Sequence, residues 1–488
     1  MTKQETFFPK RILLCEGNVR GAEHLLKEIA LQCPTGKYST RPWAELRGKC
    51  SLLFDFGKEL RGSLRIVCHW LIWQTEGEKT VRARVRLGES AAECCSEIGE
   101  RGSCNDHSPR DFEISLTGCA SVRFGESGFR FARVDFDLPE KACLNLLAVA
   151  AEGEILSMPV KYAYRGEDRL LSDIYTTAKR TIDLCAAGEF VWDGIKRDRL
   201  VWIGDMHPEM LALTTLYGRV PSFENSIVFM RDTTPIGTWM CHISTYTAWW
   251  LICLADYYTR TGCSDFVAPL LPYAQETVVS LLNFVDKDGN FLLNEEKNEQ
   301  LFVDWPTKGS EDALAGGRAI FLMAAKKIAA LFSAMASPAG NAIELVKRLQ
   351  KKPITVKDSM QVVGLKYMAT EKLDKSDIAI LEKKGAQGMS TFMSYYILTA
   401  YARYLGKEAA IEMMKEYYGG MLSRGATTFW EDFDLAWLDG SSRIDELPKE
   451  GERDLHGDYG KHCYLGFRHS FCHAWSTGIL RFMEDCGL

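Results

Sequence analysis

The sequence predicts a multidomain β plus α fold, with a β-sandwich-like domain over residues 1–164 and a helical domain over residues 165–488 arranged as an (α/α) barrel. Three observations carry this expectation. Apolar residues alternate along the early part of the chain and recur at helical spacing along the rest, the period changes at one polar junction, and several later helices are apolar around most of their circumference.

The β part is clearest between Ser51 and Asp137. There Val81-Arg82-Ala83-Arg84-Val85-Arg86-Leu87 alternates strictly, as a strand with one buried face requires, and Gly, Ser and Asp turns separate the runs. Short strands are expected to continue from Leu144 to Leu156. Arg165-Gly166-Glu167-Asp168 then marks the junction. Beyond it Leu170, Leu171, Ile174, Tyr175, Ala178, Ile182 and Cys185 share one helical face, and further helical windows fall in 241–258, 267–283, 311–334, 390–405 and 470–483. Roughly ten to twelve helices fit in this half. Segments such as LTTLYG, WWLICLADYY and FLMAAKKIAALF have no polar face and need neighbours on two sides, which one ring of helices inside another supplies. No fixed-period repeat is present, which speaks against a solenoid. The Gly-, Asp- and Arg-rich stretch from Asp439 to His462 reads as a long functional loop over one barrel end.

Composition narrows the partners. The chain has 488 residues, 46% hydrophobic and 25% charged, and a net charge of -6 spread over interspersed residues of both signs. With no basic tract, neither nucleic acid nor an anionic membrane is an expected partner, and a small neutral molecule is. The start, MTKQETFFPKRILLCEG, lacks the basic segment and apolar run of a secretory signal, and no stretch is apolar enough to span a bilayer, so a cytoplasmic location is expected. The sixteen cysteines are scattered without a C-x-x-C pair and read as reduced thiols, mostly among apolar neighbours such as those of Cys68, Cys185, Cys253 and Cys472. Cys94, Cys95 and Cys104 match no zinc spacing, so no metal and no cofactor are expected.

Candidate chemistry concentrates in the helical half, which holds nine of the twelve tryptophans, from Trp192 onward. The segment from Trp192 to Asp205 sets Asp193, Asp198 and Asp205 among Lys196, Arg197, Arg199 and Trp202. Carboxylates accept hydroxyl hydrogen bonds, arginines orient them, and tryptophan faces stack on C–H surfaces, which together suit a sugar. Taken alone the segment equally fits a solvated charged loop. Gly425 to Asp434 brings Glu431 and Asp432 beside Phe429 and Trp430, and Asp304-Trp305 is a further acid and aromatic pair. Cleaving a glycosidic bond takes two carboxyl groups, one to protonate the leaving oxygen and one to activate water or attack. The bland alternative has Glu431 and Asp432 at a helix end with Trp430 in the core. His469 and His473, four residues apart, would share a helical face. They fit a zinc pair without its usual glutamate, a buried hydrogen-bonded pair, or donors to a substrate hydroxyl.

In this order the segments resemble the α-L-rhamnosidases of glycoside hydrolase family 78, which belong to the six-hairpin (α/α)6 glycosidases. Arg199-Leu200, Trp202 and Gly204-Asp205 match an R-L-x-W-x-G-D ending, Gly425 to Glu431 a G-A-T-T-x-W-E motif, and Ser470 to Trp475 an S-x-C-H-x-W segment. Phe54-Asp55-Phe56-Gly57 and Gly128-Phe129-Arg130-Phe131 resemble the D-F-G and G-F-R-Y elements of the preceding β domain. The resemblance covers most of the chain. It implies Asp198 as general acid and Glu431 as general base of an inverting hydrolysis of terminal α-L-rhamnosyl bonds. It also implies sugar contacts from Asp193, Arg197, Trp202, Asp205, Trp305, Trp430 and His473, to which the residue reading adds Asp304 and His469. Gly194-Ile195 stand where the family commonly has Cys-Pro, and Asp198 where it has glutamate. A small glycoside or oligosaccharide is the expected partner, rather than an extended polysaccharide. A six-hairpin glycosidase of other specificity and a catalytically silent sugar-binding protein are the competing readings.

Overall fold

The computed structural model describes residues 1–34, 41–73, 80–293, 301–460 and 462–488. Seven strands, β1 (Thr2–Phe7), β2 (Arg11–Arg20), β3 (Ala44–Trp73), β4 (Val81–Gly88), β5 (Asp111–Leu116), β6 (Ala120–Asp137) and β7 (Ala142–Leu156), form one antiparallel sheet. Its order is β1-β7-β3-β6-β4-β5, with β2 paired to β3. The alternation read in β4 is real: Val81, Ala83 and Val85 are buried and Arg82 is exposed. Strand β3 changes register between Asp55 and Leu60 and again between Gly62 and Leu64. Such bulges bend a strand, and Leu52 and Phe54 before them enter the same core as Leu64 and Ile66 after them. The sheet starts at Thr2, inside the expected β domain but ahead of Ser51, where the alternation first becomes clear. Among the described residues β1 pairs only with β7 and β2 only with β3, and both lie largely exposed at the margins, so neither carries a clean alternation to be read.

The first helix, α1 (Arg169–Cys185), begins where Asp168 accepts the Leu171 backbone N–H. There follow α2 (Met206–Leu216), α3 (Pro221–Thr233), α4 (Ser244–Thr261), α5 (Ser264–Val267), α6 (Leu271–Asn283), α7 (Ala313–Ala334), α8 (Gly340–Leu349), α9 (Met360–Thr370), α10 (Lys375–Lys384), α11 (Ser394–Leu405), α12 (Lys407–Ser423) and α13 (Ile479–Asp485). Helix α2 meets α4, α4 meets α7, α7 meets α9 and α9 meets α11. A tight turn over Ala474–Gly478, together with α13, touches both α11 and α2 and closes the circuit. Helices α1, α8, α10 and α12 pack against members of that circuit. The sequence explains the division: every residue of α2 is buried, whereas α8 buries only Ala342, Leu345 and Leu349, a single stripe.

The expected helix over 470–483 begins only at Ala474, and His469 and His473 do not share a helical face. Residues up to His473 are extended because their backbone groups bond to other loops instead of to each other.

Two early motifs tie the sheet to those loops. Arg130, from β6, donates from Nε and Nη2 to the two Asp55 oxygens at 2.8 and 3.0 Å, and from Nη1 to the Gly425 carbonyl at 2.8 Å. Arg11 joins from β2, reaching Asp55 at 2.7 Å and Asp445 at 3.2 Å. Burial alone would raise the Asp55 pKa, but the arginines outweigh it and hold the carboxyl below its ordinary range. At Gly128 a Cβ would lie 2.5 Å from Ile195 Cγ1 and 2.8 Å from the Lys196 nitrogen, so only glycine lets β6 approach the loop that carries Asp198.

Candidate active site

Three chain segments, the α1–α2 loop, residues 425–434 and residues 469–475, are joined by their backbones. Gly194 and His473 form an antiparallel bridge, and Ala474 N–H donates to the Asp193 carbonyl at 2.7 Å. His473 N–H donates to the Phe429 carbonyl and Glu431 N–H to the Ser470 carbonyl, each at 3.0 Å. The Glu431 carbonyl accepts from Trp475 Nε1 at 2.9 Å and from the Thr391 hydroxyl at 2.5 Å. Main-chain geometry therefore sets the positions of the functional side chains, with little left to loop flexibility.

These segments surround a cavity of about 350 Å³. Asp193, Asp198, Asp205, Glu431 and His473 face it with polar groups, and Trp202 and Trp305 form part of its walls. Arg197 is buried beside it, with Nη1 2.8 Å from Asp198 Oδ1 and Nη2 2.6 Å from Glu431 Oε1. The first contact is close but off the hydrogen-bonding direction, so Nη1 has no hydrogen-bond acceptor among the described residues.

Trp430, Asp304 and His469 do not line the cavity. Trp430 is fully buried and stacks on Phe471 at 4.3 Å between ring centroids, because neighbouring residues of an extended segment point to opposite sides and Glu431 takes the cavity side. Asp304 accepts the Thr307 N–H at 3.0 Å and the Ser390 hydroxyl at 3.2 Å, bracing the turn that carries Trp305. Burial raises its carboxyl to about 6. His469 accepts the Asp432 N–H at 2.8 Å through Nε2, and burial lowers its pKa to about 3. It supports the Glu431 segment from behind.

The two central carboxyl groups differ in their surroundings. Burial alone would raise Glu431. The charge of Arg197 outweighs that effect and holds it well below the ordinary range. Its Oε1 also accepts the Cys463 thiol at 2.7 Å, and Oε2 accepts the Ser470 N–H at 3.1 Å. Asp198 sits on a turn closed by Arg199 N–H to the Arg197 carbonyl at 2.7 Å, with φ of 53° at Asp198 and 58° at Arg199. Left-handed conformations at non-glycine residues are uncommon and cluster at functional sites. Burial pushes Asp193 up, reinforced by Asp198 and Asp205. It pushes Asp205 up too, against a hydrogen bond from Tyr246 at 3.1 Å. Burial lowers His473 to about 4, so the imidazole is neutral at neutral pH, and its buried Nδ1 has no protein hydrogen-bond partner among the described residues.

Several contributors left no mark in the sequence reading. Tyr246, Phe302 and Tyr464 complete the aromatic walls, and Arg197 lies over the Tyr464 ring at 4.0 Å. Trp475, part of the S-x-C-H-x-W match, also lines the cavity. Cys463 and Tyr464 immediately follow the long loop over 439–462, which is the one signal that points to them. His107, between β4 and β5, brings Nε2 to 3.2 Å from Asp198 Oδ1. Glu89, Glu93 and His456 have donor atoms close enough to share a metal ion. Lys196 Nζ already stands 3.0 Å from Glu89 and 3.3 Å from Glu93, so a lysine cation balances that cluster and anchors the Asp198 loop to the sheet.

The architecture is that of solved rhamnosidases. In particular, it superposes on a rhamnosidase from Klebsiella oxytoca with rhamnose bound at a TM-score of 0.77 and 18% identity, covering 100% of this chain and 96% of that one. A GH78 family rhamnosidase of Bacillus sp. GL1 follows at 0.65 and 17% identity, over 90% of this chain and 46% of that one. The Streptomyces avermitilis α-L-rhamnosidase complexed with L-rhamnose gives 0.64 and 15%, over 89% and 42%. This chain thus spans less than half the length of the latter two. At these identities it is the fold that is shared. No family model matches the sequence, nor does any curated protein.

Proposed function

We propose that the protein is a glycoside hydrolase that removes terminal α-L-rhamnosyl groups from small glycosides or oligosaccharides with inversion, Asp198 acting as general acid and Glu431 as general base. One observation carries the reading: two carboxyl groups 233 positions apart in sequence face one cavity and share the Arg197 guanidinium. A single planar guanidinium bridging them keeps the two bridged oxygens within roughly 8 Å of each other, compatible with the separation of about 6.5 to 9.5 Å that leaves room for an attacking water. Likeness of fold to rhamnosidases, two of them holding rhamnose, supports the sugar assignment. The closed circuit of α2, α4, α7, α9, α11 and the C-terminal turn with α13 supports an (α/α)6 barrel over 165–488, and the bend in β3 that brings both of its halves into one core supports a β-sandwich-like domain over 1–164.

In this mechanism Glu431 stays ionised because Arg197 outweighs burial. A carboxylate has about four acceptor positions. Three are taken by Arg197, Cys463 and Ser470, which leaves one on Oε2 to receive the proton of the attacking water. Asp198 has Oδ1 turned to Arg197 and His107, leaving Oδ2 for the leaving oxygen. Trp202 and Trp305 offer faces to the sugar ring, and His473 Nδ1 and Asp205 offer hydrogen bonds to its hydroxyls. Neither a metal nor a cofactor enters any step. The test is to supply nitrophenyl α-L-rhamnoside and follow the product by NMR. Release of β-L-rhamnose before mutarotation is expected. The α anomer as first product would overturn inversion, and release of only other sugars from a panel of nitrophenyl glycosides would overturn the specificity.

A further inference from the structure

The acid carried by the α1–α2 loop has a partner from the opposite half of the molecule. His107 Nε2 lies 3.2 Å from Asp198 Oδ1, and the His107 side chain is 29% exposed against 15% for Asp198. The imidazole is therefore more open to solvent than the carboxyl group it faces. Its position is built: Asp106, before it, is ion-paired to Arg468, and the Ser108 hydroxyl, after it, donates to the Lys196 carbonyl at 2.9 Å and bonds to Ser127 at 2.8 Å. Arg101 fastens the same loop to Asp454 and Asp458 at 3.4 and 3.1 Å. Both contacts to Asp198, from His107 and from Arg197, converge on Oδ1.

We propose that His107 is a positioning and proton-relay residue for Asp198, an inference that rests on the assignment of Asp198 as general acid. As the glycosidic C–O bond breaks, the leaving oxygen takes the proton of Asp198 Oδ2 while Oδ1 receives the Nε2 proton of the His107 imidazolium, and a half-turn of the carboxyl group about Cβ–Cγ then presents that proton to the cavity for the next cycle. His107 regains its proton from solvent, and the proton that Glu431 takes from water returns there, so each turnover balances. An aspartate reaches one methylene less far than a glutamate. An imidazole this close to its rear oxygen, paired with it by charge without a hydrogen-bond alignment, restrains its rotamer and can replenish it without moving it out of the cavity.

The experiment compares the full chain with H107A and H107Q on two substrates, nitrophenyl α-L-rhamnoside, whose leaving group needs little protonation, and methyl α-L-rhamnoside, which needs much. H107A is expected to lower kcat on the methyl glycoside by about tenfold to a hundredfold and on the nitrophenyl glycoside by no more than about threefold, with KM nearly unchanged. Added imidazole should restore much of the loss, and thermal unfolding should be unaltered. H107Q, which can hold the rotamer but not pass a proton, should stay impaired on the methyl glycoside. Equal losses on both substrates, no response to imidazole, or full activity of H107Q would each overturn the relay while leaving hydrolysis itself in place. Absence of rhamnoside hydrolysis by the unmodified chain would instead remove the acid assignment, and the relay with it.

Discussion

The segment that holds Glu431 and the loop that holds Asp198 meet in one cavity and are built in opposite ways. Glu431 is 3% exposed, its carboxylate accepts from Arg197, Cys463 and Ser470, and its own backbone is bonded on both sides. Asp198 is half-buried on a left-handed turn, its carboxyl group held from one side only. A general base must be ionised and aimed before substrate arrives, and many donors achieve that. A general acid has to shed its proton and recover it each cycle, which requires an approach from solvent. The contrast teaches that one arginine can serve both groups only because everything else around them differs.

The sharpest way to break this contrast is E431Q, which keeps shape and volume but cannot accept the water proton. A loss of about a thousandfold or more in kcat is expected on every rhamnoside, whatever the leaving group. D198N should cost about a hundredfold or more on methyl rhamnoside and distinctly less on the nitrophenyl substrate. Equal losses for the two substrates would mean that Asp198 is not the acid. R197M tests the shared cation. Without it burial prevails at Glu431 and the carboxyl pKa rises, so the acid limb of kcat/KM moves to higher pH. The stability linkage changes sign as well. In the native protein a depressed Glu431 adds stability above the unfolded carboxylate pKa and loses it as pH falls. In the variant stability falls as pH rises. An unshifted acid limb would show that another group governs it. The smallest effects separate wall from core. W202F should raise KM about two- to tenfold with kcat nearly constant, whereas W430F should leave KM alone and cost about 1–3 kcal/mol of stability, read by denaturant unfolding.

Much of this is legible in the sequence. The alternation from Val81 to Val85 announced a strand with one buried face, and the LTTLYG run at the end of α2 announced a helix enclosed by others. Acids beside aromatics marked the loops that carry Asp198 and Glu431. What the sequence concealed has a common cause. Strands β1 and β2 lie at sheet margins and lack alternation. Trp430 and Glu431 are adjacent, and nothing in the one-dimensional pattern says which of two neighbours on an extended segment faces inward. His107 and Cys463 act across 91 and 32 positions, respectively, on groups in other segments, so no local spacing could reveal them. The His469 and His473 pair suggested a helix because i and i+4 is a helical interval, yet the His473 backbone is bonded to Phe429 and bridged to Gly194, and the His469 carbonyl accepts from Lys196 and His456.

The circuit of buried helices is closed by Ala474–Asp485, and this has a consequence for how the chain matures. Until those residues leave the ribosome, the flanks of α2 and α11 that they cover have no partner, and Arg130 and Arg11 on the sheet await Gly425 and Asp445 from hundreds of positions downstream. A chain that has not yet reached those residues therefore leaves that apolar surface open and its cavity incomplete. Truncation short of Ala474 is accordingly expected to lower solubility and cooperative unfolding, read by sedimentation and denaturant titration, before it changes any binding in the cavity.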